Sequence, residues 1–371
     1  MNQLQETART NALFERISAL IDQSRQFVSN AVNVAEVRTR FEVGRFIMED
    51  EQQGERASYG QQVLKNLSVR LMSRYGKDWT YDTLKRCRFF YQAYANVKIG
   101  ATPLPQLEDY SNLTENKQDT NCGNTVAPIR LPRFTLSWSH YLVLMRIENI
   151  EARSFYEIEA TQQQWSVKQL SRQVGSSLYE RLALSRNKEE VMRLANEGQT
   201  VEKPSDIIKN PLTLEFLGLR PDEAYSETKL EQAIISKLQS FLLELGKGFL
   251  FEKRQRRFTF DEENYYVDLV FYNRLLQCYV LIDLKTDKLT HQDLGQMQMY
   301  VNYYDRYVRQ EFEKPTIGIL LCKSKKDSLV ELTLPKDANI YAAAYQLYLP
   351  DKALLQAKLK EWINEFEEDQ Q

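Results

Sequence analysis

Apolar residues at Leu13, Ile17, Ile21, Phe27, Val34 and Val37 recur at roughly helical spacing and predict a helix over residues 10–50. Residues 59–95 read as two further helices broken at Gly76-Lys77-Asp78, with Thr80 as N-cap of the second. Residues 102–133 lose this periodicity. They are rich in Pro, Asn, Thr and Gln and read as a flexible linker or long loop. Helical patterning returns over 134–186, and a polar stretch, 187–210, ends at Asn210-Pro211, a domain-boundary signal.

Beyond that point the period changes. Ser226 caps a predicted helix over 227–246, with Leu230, Ile234, Leu238, Phe241 and Leu245 on one face and Gly246 or Gly248 at its end. Three strand-like runs follow, GFLFEKRQRRFTF, YYVDLVFYN and QCYVLIDLKTD. A helix from about His291 to Gln310 opens with Thr290 as cap and Asp293 three residues on. PTIGILLCKSK then reads as a buried strand and IYAAAYQL as a short one. The order predicts an α/β domain with a mixed central sheet, preceded by a helical region. The expected boundaries are 1–186 for the helical region (with an insert at 102–133), 187–210 for a linker and 211–371 for the α/β domain.

Composition narrows the chemistry. A chain of 371 residues, 43% hydrophobic and 27% charged, suits two or three soluble domains. No run of eighteen apolar residues predicts a membrane span, and the polar, acid-bearing start is no secretory signal. Cys87, Cys122, Cys278 and Cys322 are widely spaced, which argues against a zinc site or a disulfide framework and fits the cytoplasm. His140 and His291 are the only histidines, which excludes a histidine-rich metal centre. Net charge is −2, but basic residues cluster. Lys65, Arg70, Arg74, Lys77, Lys85, Arg86, Arg88 and Lys98 form one group; Lys247, Lys253, Arg254, Arg256 and Arg257 form another. Each reads as a polyanion footprint or as a solvated face. The segments beginning Trp79-Thr80 and Trp165-Ser166 echo one another as a Trp, a hydroxyl cap and a helix. They fit either the second helix of a helix-turn-helix unit or two ordinary capped helices.

The unusual residues are Asp268, Asp283 and Lys285, set in apolar strands where Asp is disfavoured. Alternation puts Asp283 and Lys285 on one face, with Cβ atoms about 6.5–7 Å apart. A hairpin around Asn273-Arg274-Leu275 can bring Asp268 beside Asp283. Two neighbouring carboxylates need a positive partner, either a divalent cation with oxygen ligands or a structural Asp–Lys pair.

Asp268…Asp283-x-Lys285 in this element order resembles the PD-(D/E)XK nuclease superfamily. Gln296-x-x-x-Tyr300 on the following helix resembles an accessory motif of its RecB-like and lambda-exonuclease-like branches. YGQQVLKNLSVRLMSRYGKDWTYDTLKRCRFFYQAY, LSWSHYLVLMRI, WSVKQLSRQVGSSLYERLALSR and GQMQMYVNYYDRYVR extend the likeness to YhcG-type bacterial proteins. These pair a helical, winged-helix-like N-terminal region with a nuclease domain of restriction-endonuclease-like fold. Val267 stands where the motif's name has proline, and Asp283 where these proteins more often have Glu.

The resemblance implies Mg²⁺-dependent phosphodiester hydrolysis, with Mn²⁺ as an alternative ion. Asp268, Asp283 and the backbone carbonyl of Leu284 would bind the metal, and Lys285 would position water or neutralise developing charge. Glu231 is the candidate helix carboxylate, with Glu227 behind it. Gln296 and Tyr300 would orient the nucleic-acid backbone or a carboxylate. Arg254, Arg256, Arg257, Lys85, Arg86 and Arg88 would meet phosphates. The implied partner is DNA, with RNA left open, no membrane and no small-molecule cofactor; cutting both strands with one site per chain favours a homodimer. The competing expectation is a nuclease fold that binds without cutting.

Overall fold

The computed structural model describes residues 2–53, 57–95, 134–186, 188–221, 223–335 and 338–368. The chain divides into two compact units, Met1–Leu170 and Ser171–Gln371. The insert predicted over 102–133 lies outside the described residues, as does Cys122.

The first unit carries α1 (Asn2–Gln53), α2 (Ala57–Tyr75), α3 (Tyr81–Tyr94), α4 (Trp138–Leu144) and α5 (Ile150–Gln162); the division falls within α6 (Val167–Gly175). No strand occurs among its described residues, so the wing of a winged helix is not seen there. Among the described side chains of α1, only those of its second half enter the core, where Val37, Phe41 and Ile47 are buried alongside Leu84, Cys87 and Phe90 of α3. The two helices touch at Gly44, where a Cβ would lie 2.1 Å from the Cys87 carbonyl oxygen. Both echoed segments are capped helices: Thr80 accepts from the Thr83 N–H, and Ser166 accepts from that of Gln169. On α3, Lys85 and Arg86 are exposed, whereas Arg88 pairs with Glu51 at 2.8 Å and is not a free phosphate ligand.

The second unit begins with the rest of α6, α7 (Leu178–Ala183) and α8 (Lys188–Glu197). The stretch 187–210, read as a linker, therefore contains a helix and a 3-10 turn at Pro204–Ile207. The Asp206 carboxylate accepts the Glu202 and Lys203 N–H groups and ties that turn down. There follow β1 (Leu212–Thr213), α9 (Glu227–Ser236), α10 (Leu238–Leu245), β2 (Phe249–Phe260), β3 (Glu263–Asn273), β4 (Cys278–Lys288), α11 (His291–Tyr307), β5 (Ile317–Ser324), α12 (Asp327–Thr333), β6 (Ile340–Gln346) and α13 (Lys352–Glu368). The sheet runs β1-β6-β5-β4-β3-β2. β2, β3 and β4 pair antiparallel; β4, β5, β6 and β1 pair parallel, giving the expected mixed sheet.

Alternation along β3 and β4 sorts the core into two layers. Leu269, Phe271, Val280, Ile282 and Leu284 pack with Leu230, Ile234 and Phe241 of α9 and α10. Val270 and Leu281 pack with Leu294, Met297 and Tyr300 of α11. α11 sits close: a Cβ on Gly318 of β5 would lie 2.7 Å from the Met297 side chain.

The helix predicted over 227–246 is interrupted at Lys237 (φ −121°, ψ 29°). α10 restarts with Glu244 turned to Arg172 at 2.7 Å and Arg181 at 2.8 Å. Burial opposes the Glu244 charge, but Arg181, Lys209 and Arg172 outweigh it and hold the carboxyl down at about 2. Glu244→Gln should cost roughly 3–5 kcal/mol, because buried Arg181 loses its counter-charge and Arg172 is left with Glu215 alone. Chemical denaturation checks this, and a change below 1 kcal/mol would refute it.

Cys87, Cys278 and Cys322 are buried free thiols. Among the described residues, no helix is long and apolar enough to cross a membrane.

Candidate active site

The β3–β4 hairpin turns on Asn273, whose side-chain oxygen accepts the Leu275 and Leu276 N–H groups at 3.0 and 3.1 Å. From there the ladder runs to the pair Leu269–Ile282. One step further in that register stand Asp268 and Asp283. Paired backbone does not continue there. The Leu284 N–H donates instead to Asp268 Oδ2 at 2.8 Å. The candidate acids thus lie where two strands of the sheet part.

Asp283 shares strand parity with Leu281 and so belongs to the α11 layer. It is 3% exposed, and its Oδ2 lies 2.8 Å from Lys285 Nζ. That is an ion pair without hydrogen-bond geometry, for the same buried oxygen has no hydrogen-bond partner. Burial, then the Asp268 charge, push the Asp283 carboxyl up to about 7 despite Lys285. Burial also acts against the Lys285 charge, but Asp283 and Glu227 outweigh it and raise the ammonium's pKa. Glu227 Oε2 lies 3.7 Å from Lys285 Nζ.

Ser226 caps α9, accepting the Lys229 N–H at 3.2 Å, and Leu230 and Ile234 bury its inner face. Glu231, next to Leu230, is drawn in with them and is 7% exposed. The link from Glu231 to Asp268 is a residue the sequence reading passed over. Gln255 of β2 donates from Nε2 to Glu231 Oε2 at 2.7 Å and to Asp268 Oδ1 at 2.8 Å. Its φ is +45°, in the left-handed region. Within the run KRQRR it reads as part of a charged strand. Its register partner, the position facing Asp268 between Arg254–Leu269 and Arg256–Val267, was the signal that could have found it.

The same local twist separates the arginines. Arg254 donates to Gln232 of α9 at 3.1 Å, while Arg256 lies beside Tyr279 and Tyr304 in the α11 layer. Arg257 is exposed. On α11, the Thr290–Asp293 capping box forms as expected. Gln296 donates to the Tyr300 hydroxyl, and Tyr300 is buried near enough to Asp283 to feel its charge. The geometry therefore gathers Asp268, Asp283, Lys285, Glu231, Gln296 and Tyr300 at one end of the sheet, and leaves Lys85 and Arg86 on the other unit.

Hard oxygen donors suit Mg²⁺ or Mn²⁺, and the buried Asp283 oxygen without a hydrogen bond is the kind of atom a cation satisfies. Asp268, Asp283 and Glu231 are the side chains that would hold it. Among the described residues, no three Asp, Glu, His or Cys side chains converge closely enough to enclose an ion. Gln255 and Lys285 stand among the acids.

Residues 205–360 match the YhcG PDDEXK nuclease domain, and residues 16–181 match the DUF1016 N-terminal domain. The chain is 36% identical over 355 residues to an Escherichia coli (strain K12) protein named "Putative nuclease YhcG", covering 95% of this chain and 94% of that one. Among solved structures, a repair endonuclease from Pyrococcus abyssi aligns at 18% identity and TM-score 0.24, covering 35% of this chain and 50% of that one. A structure titled as an EndoMS–dsDNA2 complex aligns at 17% identity and TM-score 0.24, covering 36% and 50%. The chain belongs to the YhcG family of PDDEXK nuclease-domain proteins, with a DUF1016 N-terminal domain preceding the nuclease domain.

Proposed function

We propose that this chain is a divalent-metal-dependent nuclease that hydrolyses phosphodiester bonds in DNA. The observation that carries the reading is the buried Asp283–Lys285 pair beside Asp268, at the point where the β3–β4 ladder stops. Charges of this kind serve no packing purpose in an apolar strand. A bound Mg²⁺ or Mn²⁺ would supply Lewis acidity and a water of lowered pKa.

The chain's own groups do the rest. Asp268 is fixed by the Leu284 N–H, so its carboxylate is oriented before substrate arrives. Lys285, 2.8 Å from Asp283 Oδ2, would direct its ammonium at the attacking water or at the charge developing on the phosphate. Arg254 and Arg257 on β2 contact the phosphate backbone beside the site. Gln296 and Tyr300 support the Asp283 side from α11. Lys85 and Arg86 contribute the N-terminal region's contact with DNA or with a partner. One site per chain makes a homodimer the form that cuts a duplex.

The test incubates labelled linear, circular, branched and single-stranded DNA with Mg²⁺ or Mn²⁺, with a chelator control. Metal-dependent cleavage of at least one substrate is expected. DNA bound but uncut under every condition would sink the enzyme reading. One observation favours that second reading, a non-cutting binding module: Glu231 and Asp268 are bridged by the Gln255 amide and Asp283 pairs with Lys285, rather than the acids being gathered as an open ligand set.

A further inference from the structure

The Gln255 amide sits between two carboxylates that the nuclease reading assigns to the cation. An ionised carboxylate only accepts hydrogen bonds, so the amide must present its nitrogen, and both its N–H bonds are spent on the pair. The nitrogen lies 2.7 Å from Glu231 Oε2 and 2.8 Å from Asp268 Oδ1. It thus holds together groups that come from different layers, one from α9 and one from β3. The backbone beneath it is in the left-handed region at φ +45°, where a residue with a Cβ is strained unless its surroundings fix it. Strand neighbours Arg254 and Arg256 keep regular pairing on either side, so the strain is confined to the one residue that reaches the acids.

We propose that Gln255 is a positioning residue that occupies the cation's place in the metal-free protein. Its amide bridges Glu231 and Asp268 with one N–H to each and keeps them aligned, and it is displaced when the cation binds. This rests on the nuclease reading above and adds to it a residue outside the Asp…Asp-x-Lys motif. Its direct consequence is that the wild-type side chain opposes metal binding. The amide's two charge-assisted bonds must break before both carboxylates can ligate.

Calorimetric titration of the full chain with Mn²⁺ tests this without any measurement of cleavage. Gln255→Met keeps the length of the side chain and removes its donors. Gln255→Gly also removes the donors and relaxes the left-handed backbone, which guards against a folding defect. Both variants should bind Mn²⁺ at least tenfold more tightly than wild type, because two charge-assisted bonds no longer have to break. Both should also gain more melting temperature on Mn²⁺ addition than wild type does. Unchanged affinity would reduce Gln255 to a strand irregularity and overturn the proposal. Weaker binding in both variants would overturn it too, since the amide would then be a ligand. A wild-type chain that binds no Mn²⁺ would overturn both this inference and the metal-dependent reading. Wild-type binding with unaltered variants would overturn the inference alone.

Discussion

Lys285→Ala should lower the single-turnover rate of DNA cleavage by roughly 10²–10³-fold, the usual cost of removing one charge aimed at a transition state. The same change should destabilise the fold, and the pH dependence separates the two roles. Lys285 is the cation 2.8 Å from a carboxylate that is 3% exposed. Without it, Asp283 escapes an unpaired buried charge only by keeping its proton. Keeping the proton costs nothing below the unfolded Asp pKa of about 4, where both states are protonated. Above that, the unfolded chain releases the proton and the folded chain does not, so the penalty grows with pH. Denaturant unfolding should therefore show a larger loss at pH 8 than at pH 5. Cleavage within twofold of wild type would remove Lys285 from the chemistry. An equal loss of stability at both pH values would mean that the lysine's packing, not its charge, matters to the fold.

Asp283→Asn should give the opposite stability result with a deeper loss of function. Burial, then the neighbouring Asp268 charge, raise the Asp283 carboxyl to about 7. Its folded pKa thus lies above its unfolded one, and the sign follows from that order. The group is neutral in both states below about pH 4 and carries no penalty there. From pH 4 to 7 the penalty rises, and above 7 it is complete. Replacing the acid with its neutral isostere removes that penalty but also removes Lys285's nearest counter-charge. The net gain should be about 2 kcal/mol at pH 8 and near zero at pH 3.5. Cleavage should fall below detection, because a neutral amide is a poor ligand for a hard cation. Destabilisation at pH 8 would show that the carboxylate is there for the fold rather than for metal.

The sequence made much of this site legible because strand geometry is simple. Period-two alternation alone placed Asp283 and Lys285 on one face, and they pair. A short turn between two apolar runs was enough to bring Asp268 to its facing position. The hydroxyl caps Thr80, Ser226 and Thr290 marked helix starts that the structure contains. What escaped depends on backbone departures that residue type does not encode. No residue in KRQRR announces a left-handed φ, so Gln255 was hidden and the arginines beside it were expected to act together. The break at Lys237 occurs within an uninterrupted apolar pattern. The polar segment before Pro211 looked like a linker, yet α8 forms there, burying Val191 and Leu194.

The close seat of α11 on β5 has a bearing on how such a protein can change over time. Gly318 carries no functional group, yet its missing methyl sets how deeply the helix bearing Gln296 and Tyr300 can settle. A larger residue there would press on the Met297 and Val301 side chains, and so on the seat of the helix that carries Gln296 and Tyr300. The accessible mutational routes of the protein are therefore narrowed at a residue that is not one of its acids. A lineage could vary Gly318 only by first making room on the helix above it.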